Sequence, residues 1–394
     1  MTFQGFALDD EVQMLADVVD KFVQTEIVAA EAGLPADARE IPSSVIGTLQ
    51  KKARAVGLWC MEAPEAVGGG GLSALQAAVV TEHASKHKFS IPVAGAGAFG
   101  YDPPSVLYQS TPDHIERFVV PAIEHGWQTF TAISEPSGGS DPARAIQTTA
   151  VRRRDKWVLN GRKLWASFAD KAQYGIVYAR TNGAGRDGIS AFIVERDTPG
   201  LEITPVPVLR DHHSTELLLE DCAVPAENLV GQEGRGFALA QGWLVRGRLR
   251  IAAHAIGVAE AAFELAVDWA SQRETFGALL SSRQAVQFPL VDARMELNAA
   301  RHLVWDAAYD LDQGRDARVK AAMAKVYATE ASFRTLDAMM QILGGMGTSS
   351  DLPVEHWFRG IRVWRIGEGP SEVLRHVIAR DIFRGLSTAD GGAT

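Results

Sequence analysis

Trp157-Val158-Leu159-Asn160-Gly161-Arg162-Lys163-Leu164-Trp165 is the stretch on which the fold turns. β-Branched and aromatic residues flank an Asn-Gly pair, a strong short-range signal for a two-residue turn between antiparallel strands. The runs 147–151, 175–179, 189–194 and 216–219 share this composition, with no helical periodicity between them. Region 126–235 therefore reads as an antiparallel β-barrel or sandwich.

Outward from this region the pattern changes on both sides. From residue 8 to about 125 the chain reads as helical. Asp9 and Asp10 are suitable N-caps, and Val12, Leu15, Val18, Val19 and Phe22 recur at helical spacing. Further helices are expected around 44–56 and 73–87. Gly68 to Gly71 between them has no following Lys-Ser/Thr, so it predicts a turn that lets helices approach, not a phosphate loop. Beyond Gly236 helical periodicity returns: Ile251, Ala255, Val258, Ala262 and Leu265 share one face, and Val286, Leu290, Ala293 and Leu297 another. The alanines allow close contact, as in a bundle. The expected fold is α+β and mainly helical. It has an N-terminal helical domain (1–125), a middle antiparallel β domain (126–235) and a C-terminal four-helix bundle (236–394).

Bulk properties narrow the function. Of 394 residues, 46% are apolar and 22% charged, as in an ordinary globular protein. A net charge of -9 argues against nucleic acid or an anionic membrane as partner. The two cysteines, Cys60 and Cys222, lack the spacing of a metal site, and no metal is expected. The first residues carry neither a basic nor an apolar signal region, and no run approaches 18 apolar residues. A cytoplasmic protein without membrane insertion is expected.

Two glycine-flanked segments invite a functional reading. Gly231-Gln-Glu-Gly234-Arg-Gly236 superficially resembles a dinucleotide fingerprint, but its glycines fall as GxxGxG outside any βαβ unit. A domain-boundary turn is expected there. In Ile366-Gly367-Glu368-Gly369-Pro370-Ser371-Glu372 a lone carboxylate interrupts two helical stretches. Glycines on both sides permit unusual dihedrals and close approach of a ligand, so Glu368 is either a candidate general base or part of a solvated turn.

Six segments, in order, resemble the acyl-CoA dehydrogenase flavoprotein family over nearly the whole chain. Ile133-Ser134-Glu135-Pro136-Ser137-Gly138-Gly139-Ser140-Asp141 is similar to TEPxAGSD, and Asn160 to Trp165 to NGxKxW. The segment from Glu220 to Gly231 resembles the exit from the β domain. Gln272-Arg273-Glu274-Thr275-Phe276-Gly277 is similar to QRxxFG, and Gln341-Ile342-Leu343-Gly344-Gly345-Met346-Gly347 to QxxGGxG, with Arg359 following. The Glu368 segment resembles YEGTSE.

The resemblance implies FAD as cofactor and an acyl-CoA thioester as substrate. Glu368 would remove the α-proton while the β-hydride passes to flavin N5. The backbone N–H of Glu368 would help hold the thioester oxygen, as in an oxyanion hole. Substrate binding would expel water from around the base. Ile133, Ser134 and Ser140 would lie along the flavin, with Trp165 and Ser167 on its other flank. Arg273, Phe276, Gln341 and Gly345 would contact its diphosphate and adenine end, Arg273 reaching a neighbouring subunit's cofactor. Ser140, Arg248, Gly367 and Gly369 would face substrate, and the segment from Ala94 to Pro104 would line the acyl end.

Some relatives carry the base on the first long C-terminal helix. The matching residue here is Gly247, which leaves Glu368. Gly367 and Pro370 replace the usual tyrosine and threonine, and the loss of the tyrosine suggests a bulky acyl group. An electron-transfer flavoprotein as acceptor and a homotetramer are also implied. The competing readings are an acyl-CoA oxidase, a desulfinase-type lyase and an inactive FAD-binding scaffold.

Overall fold

The computed structural model describes residues 8–183, 185–209 and 214–384, which group into two compact units. The first contains residues up to 56, 73–98 and from 245 onward; the second contains 57–72 and 99–244.

The first unit is helical. α1 (Asp10–Phe22) starts where Asp9 accepts a hydrogen bond from the Val12 N–H at 2.8 Å, and Asp10 and Glu11 complement the helix dipole. Its buried Val12 and Ala16 pack against Val79 of α3 (Ala74–His83). α2 is Ser43–Ala55. α3 opens with a capping box between Ser73 and Gln76, and Asp312 accepts from the N–H groups of Ala74 and Leu75.

Five longer helices follow among the described residues: α4 (Gly236–Gln272), α5 (Gln284–Asp312), α6 (Arg318–Leu343), α7 (Val354–Trp364) and α8 (Ser371–Ile382). The residues of α4 up to Leu244 group with the second unit. The core of the first unit is unusually rich in alanine: Ala252, Ala259 and Ala266 meet Ala293, Ala300, Ala321 and Ala328, with Leu297 and Leu336 filling between them. Small side chains bring the backbones together, while apolar burial contributes about 25 cal/mol per Å².

Within the second unit, eight strands form one sheet: β1 (Thr129–Ala132), β2 (Thr149–Arg153), β3 (Lys156–Ser167), β4 (Tyr174–Arg180), β5 (Ile189–Glu195), β6 (Leu201–Val206), β7 (Ser214–Pro225) and β8 (Leu229–Val230). Their order is β6-β7-β3-β2-β4-β5-β8, with β1 beside β4. The pairing is antiparallel except for β1 with β4 and a single β2–β4 pair. β4 and β5 are buried on both faces. Tyr174, Ile176 and Tyr178 meet Phe118 and Ile123 on one side, while Val177, Ala179 and Phe192 meet Trp157 and Leu217 on the other.

The expected Asn-Gly hairpin is corrected by this sheet. β3 runs unbroken through Asn160-Gly161, and the tight turn between β2 and β3 lies at Arg154-Asp155, with Arg154 at φ 57°. Gly161 instead sits at a register shift between β3 and β7. A Cβ there would lie 2.7 Å from the Thr148 backbone, so the position needs glycine for close approach. The glycines at 231–236 form a turn before α4, where the Gly234 N–H donates to Ser190 Oγ at 2.8 Å.

Candidate active site

Glu368 lies in the turn between α7 and α8. α7 ends at Trp364, and Pro370 occupies the N-cap position of α8 because its fixed φ suits a helix start. Glu368 itself has φ 52° and Gly369 φ 103°. For a non-glycine residue the left-handed region costs roughly 1–2 kcal/mol, so packing must hold it there. Trp165 (φ 68°) and Phe276 (φ 49°) share this property. Three of the eight positive-φ non-glycine residues among the described residues are thus ones the family resemblance assigns individually to the base or the flavin.

The carboxylate of Glu368 reaches back to α4. A Cβ at Gly247 would overlap it, lying 2.8 Å from its Cδ. The missing side chain at one possible base position therefore makes the room occupied by the other. Two cations hold the backbone of the turn. Arg248 Nε donates to the Glu368 carbonyl at 3.3 Å, and Lys325 Nζ donates to the Gly369 carbonyl at 2.9 Å. Burial pushes the Arg248 guanidinium below its usual range, opposed by the charge of Glu368. Lys325 is fully buried, which lowers its ammonium to about 8 against the opposing pull of Glu368.

Sequence reasoning missed Lys325. The signal was present: it shares a helix face with Ala321, Ala328 and Ser332, all buried. A lysine in such a stripe is rarely buried without a task.

In the second unit, Ile133 and Ser134 follow β1, and the Ser134 carbonyl accepts from the Leu164 N–H at 2.9 Å. The pair is thereby brought beside Trp165, a residue 53% exposed. Below them Glu135 and Lys163 form a buried ion pair at 2.7 Å, and Glu135 also accepts from the N–H groups of Gln147 and Thr148. Burial alone would raise the Glu135 carboxyl, but Lys163 and these donors hold it below its usual range. Both residues lie within the quoted motifs, yet their structural role was not legible there. Ser167 ends β3 opposite Ser214, and Ser140 is exposed just before the short helix Pro142–Ala145.

The remaining site residues belong to the first unit. Arg273 follows α4, and Phe276 stands at the tip of a two-stranded hairpin, fully exposed. Gln341 is in the last turn of α6 and Gly345 just beyond it, on elements separate from that hairpin. Nothing lies within 4 Å of a Cβ built at Gly344 or Gly345, so the backbone there is open to a ligand. Among the described residues no cluster suits a metal ion, and no helix is long and apolar enough to cross a membrane.

The order of helical and sheet regions, with a carboxylate on a strained turn, defines a class. Models of the acyl-CoA dehydrogenase N-terminal, middle and C-terminal domains match residues 9–123, 131–222 and 234–383. The chain belongs to the acyl-CoA dehydrogenase family, FAD-dependent oxidoreductases acting on acyl-CoA.

Particular relatives follow. The chain is 35% identical over 386 residues to the short-chain specific acyl-CoA dehydrogenase of Rattus norvegicus, covering 97% of this chain and 92% of that protein. It is 31% identical to the cyclohexane-1-carbonyl-CoA dehydrogenase of Geobacter metallireducens, covering 96% and 99%. The solved butyryl-CoA dehydrogenase of Megasphaera elsdenii matches with a TM-score of 0.85 at 30% identity, covering 97% of this chain and all of that one.

The residues present fit FAD. An exposed indole on a fixed left-handed backbone offers an apolar face to a ring system, and the open Gly344-Gly345 backbone admits a charged or bulky group without steric conflict.

Proposed function

We propose that Glu368 removes the α-proton of an acyl-CoA thioester in a dehydrogenation that yields a trans-2-enoyl-CoA. The supporting observation is the strained turn that directs its carboxylate into the space left by Gly247. FAD, when bound, supplies the acceptor for the β-hydride. Glu368 takes the proton on a carboxylate oxygen as the Cα–H bond breaks, and its backbone N–H is offered to the thioester oxygen, where charge develops. Arg248 keeps the turn oriented from α4. Ile133, Ser134, Ser140, Trp165 and Ser167 are the proposed flavin contacts in the second unit. Arg273, Phe276, Gln341 and Gly345 are those of the first. Gly367 and Gly369 leave the approach to the base unobstructed.

The test is anaerobic bleaching of the bound flavin by butyryl-CoA. We expect rapid bleaching by the wild type and a rate about 10²- to 10⁴-fold lower for Glu368→Gln, the range for losing a positioned base. Undiminished bleaching by the variant would remove Glu368 from the mechanism.

A short acyl group with branched or cyclic character is the proposed substrate. A Cβ at Gly367 would meet nothing closer than the Val363 carbonyl at 3.8 Å, so there is unused room beside the base. Turnover of an acyl-CoA panel with an artificial electron acceptor decides this, and a clear preference for straight chains would refute it. An electron-transfer flavoprotein is the proposed acceptor and the cytoplasm the proposed location. A homotetramer accounts for the exposed Phe276 and for Phe288, Val291 and Met295, exposed along one face of α5.

A further inference from the structure

We infer that Lys325 is a positioning residue for the reaction, holding the Glu368 turn from below through the Gly369 carbonyl. The inference rests on Glu368 being the base. Three observations support it. Lys325 is completely buried in α6, among Ala321, Ala322, Ala324 and Ala328. Its Nζ donates to Gly369, the residue that follows Glu368, at 2.9 Å. Arg248 Nε donates to the carbonyl just before it in the chain, that of Glu368 itself. Two successive carbonyls are thus fixed by two cations from different helices, α4 and α6. Such a pair can keep Glu368 at a positive φ that an unrestrained chain would leave.

Stability alone gives a poor reason for this lysine. Burying an ammonium is expensive, and a hydrogen bond to one neutral carbonyl does not fully offset it. An apolar side chain of the same length would suit the alanine-rich surroundings better. The charged groups facing Lys325 are Glu368, Arg248, Glu330 and Glu372. Its ammonium therefore also lies in the field of the base it positions.

The experiment compares Lys325→Met holoenzyme with wild type, using butyryl-CoA. We expect kcat to fall on the order of 10²-fold, the size expected for a misplaced catalytic group. KM should stay within about threefold and Tm should be unchanged or higher. A kcat within about threefold of wild type overturns the inference, as does a loss of kcat matched by a loss of Tm. Should Lys325→Met not fold, Lys325→Ala is assayed with and without butylammonium. Restoration of kcat by the amine supports the role, and no restoration overturns it. Glu368→Gln is measured alongside. If that variant turns over like wild type, the assignment of the base fails by itself. The turn is then read from a crystal structure of the Lys325 variant that folds. A Glu368 that keeps its positive φ overturns the inference, and one that leaves it supports the inference.

Discussion

Fully buried Lys325 lies in the field of the half-buried Glu368, and the lysine titrates within reach of experiment. Burial, partly opposed by Glu368, Glu330 and Glu372 and reinforced by Arg248, brings its ammonium to about 8. Below that pH Lys325 is protonated and charged; above it the charge is lost. We therefore expect kcat to decline on the alkaline side with an apparent pKa near 8, and that limb to be absent from Lys325→Met. A pH–rate profile of both proteins checks this. Glu368 could be proposed as a base from its flanking glycines and motif, and Arg248 as a residue facing substrate, whereas the dihedral of Glu368, its hold by Arg248 and the presence of Lys325 could not. They arise from residues that no local pattern connects.

α4 is shaped for its partner. Glycine inside a helix is less favourable than alanine by about 1 kcal/mol, so Gly247 weakens α4 locally. Its compensation is the room it leaves for the Glu368 carboxylate. Gly247→Ala should raise or preserve Tm and lower kcat by at least tenfold, because the methyl group displaces the carboxylate. Thermal melts and steady-state kinetics on one preparation decide it. The same scale explains the misplaced hairpin. Asn160-Gly161 satisfies turn chemistry locally, but pairing along both edges of β3 with β2 and β7 extends the strand through it. Tertiary pairing overrode the local preference, and glycine was retained to clear Thr148.

Each compact unit contains buried ionic groups whose removal has predictable consequences. In the first, Arg301 of α5 bonds Glu82 of α3 at 2.8 Å and Glu260 of α4 at 2.9 Å. Both carboxylates are buried, and their charges push the guanidinium above its usual range despite its burial. Arg301→Met takes this partner from Glu82, while Glu260 keeps Arg294 at 2.7 Å, and should cost about 3 kcal/mol, read by urea unfolding. Acid should act on both units. Burial would raise Glu31 and Glu135, but His87 and Lys163, with backbone donors, hold them below the usual carboxylate value of 4.5. A depressed carboxylate adds stability that is present above the unfolded value and lost as pH falls through the folded one. Unfolding free energy should therefore decline below about pH 4.5, and less steeply in Glu31→Gln or Glu135→Gln than in wild type.

The order of helical and sheet regions, the capped start of α1 and the six motifs were determined by the sequence itself. Each depends on residues close together along the chain, where periodicity, capping and spacing act. The site around Glu368 was decided by tertiary structure. Its two backbone anchors, Lys325 and Arg248, lie 44 and 120 residues from the carbonyls they hold. Only the packing of alanine-rich helices brings such groups together, and only that packing makes a buried lysine and a left-handed glutamate tolerable in one place.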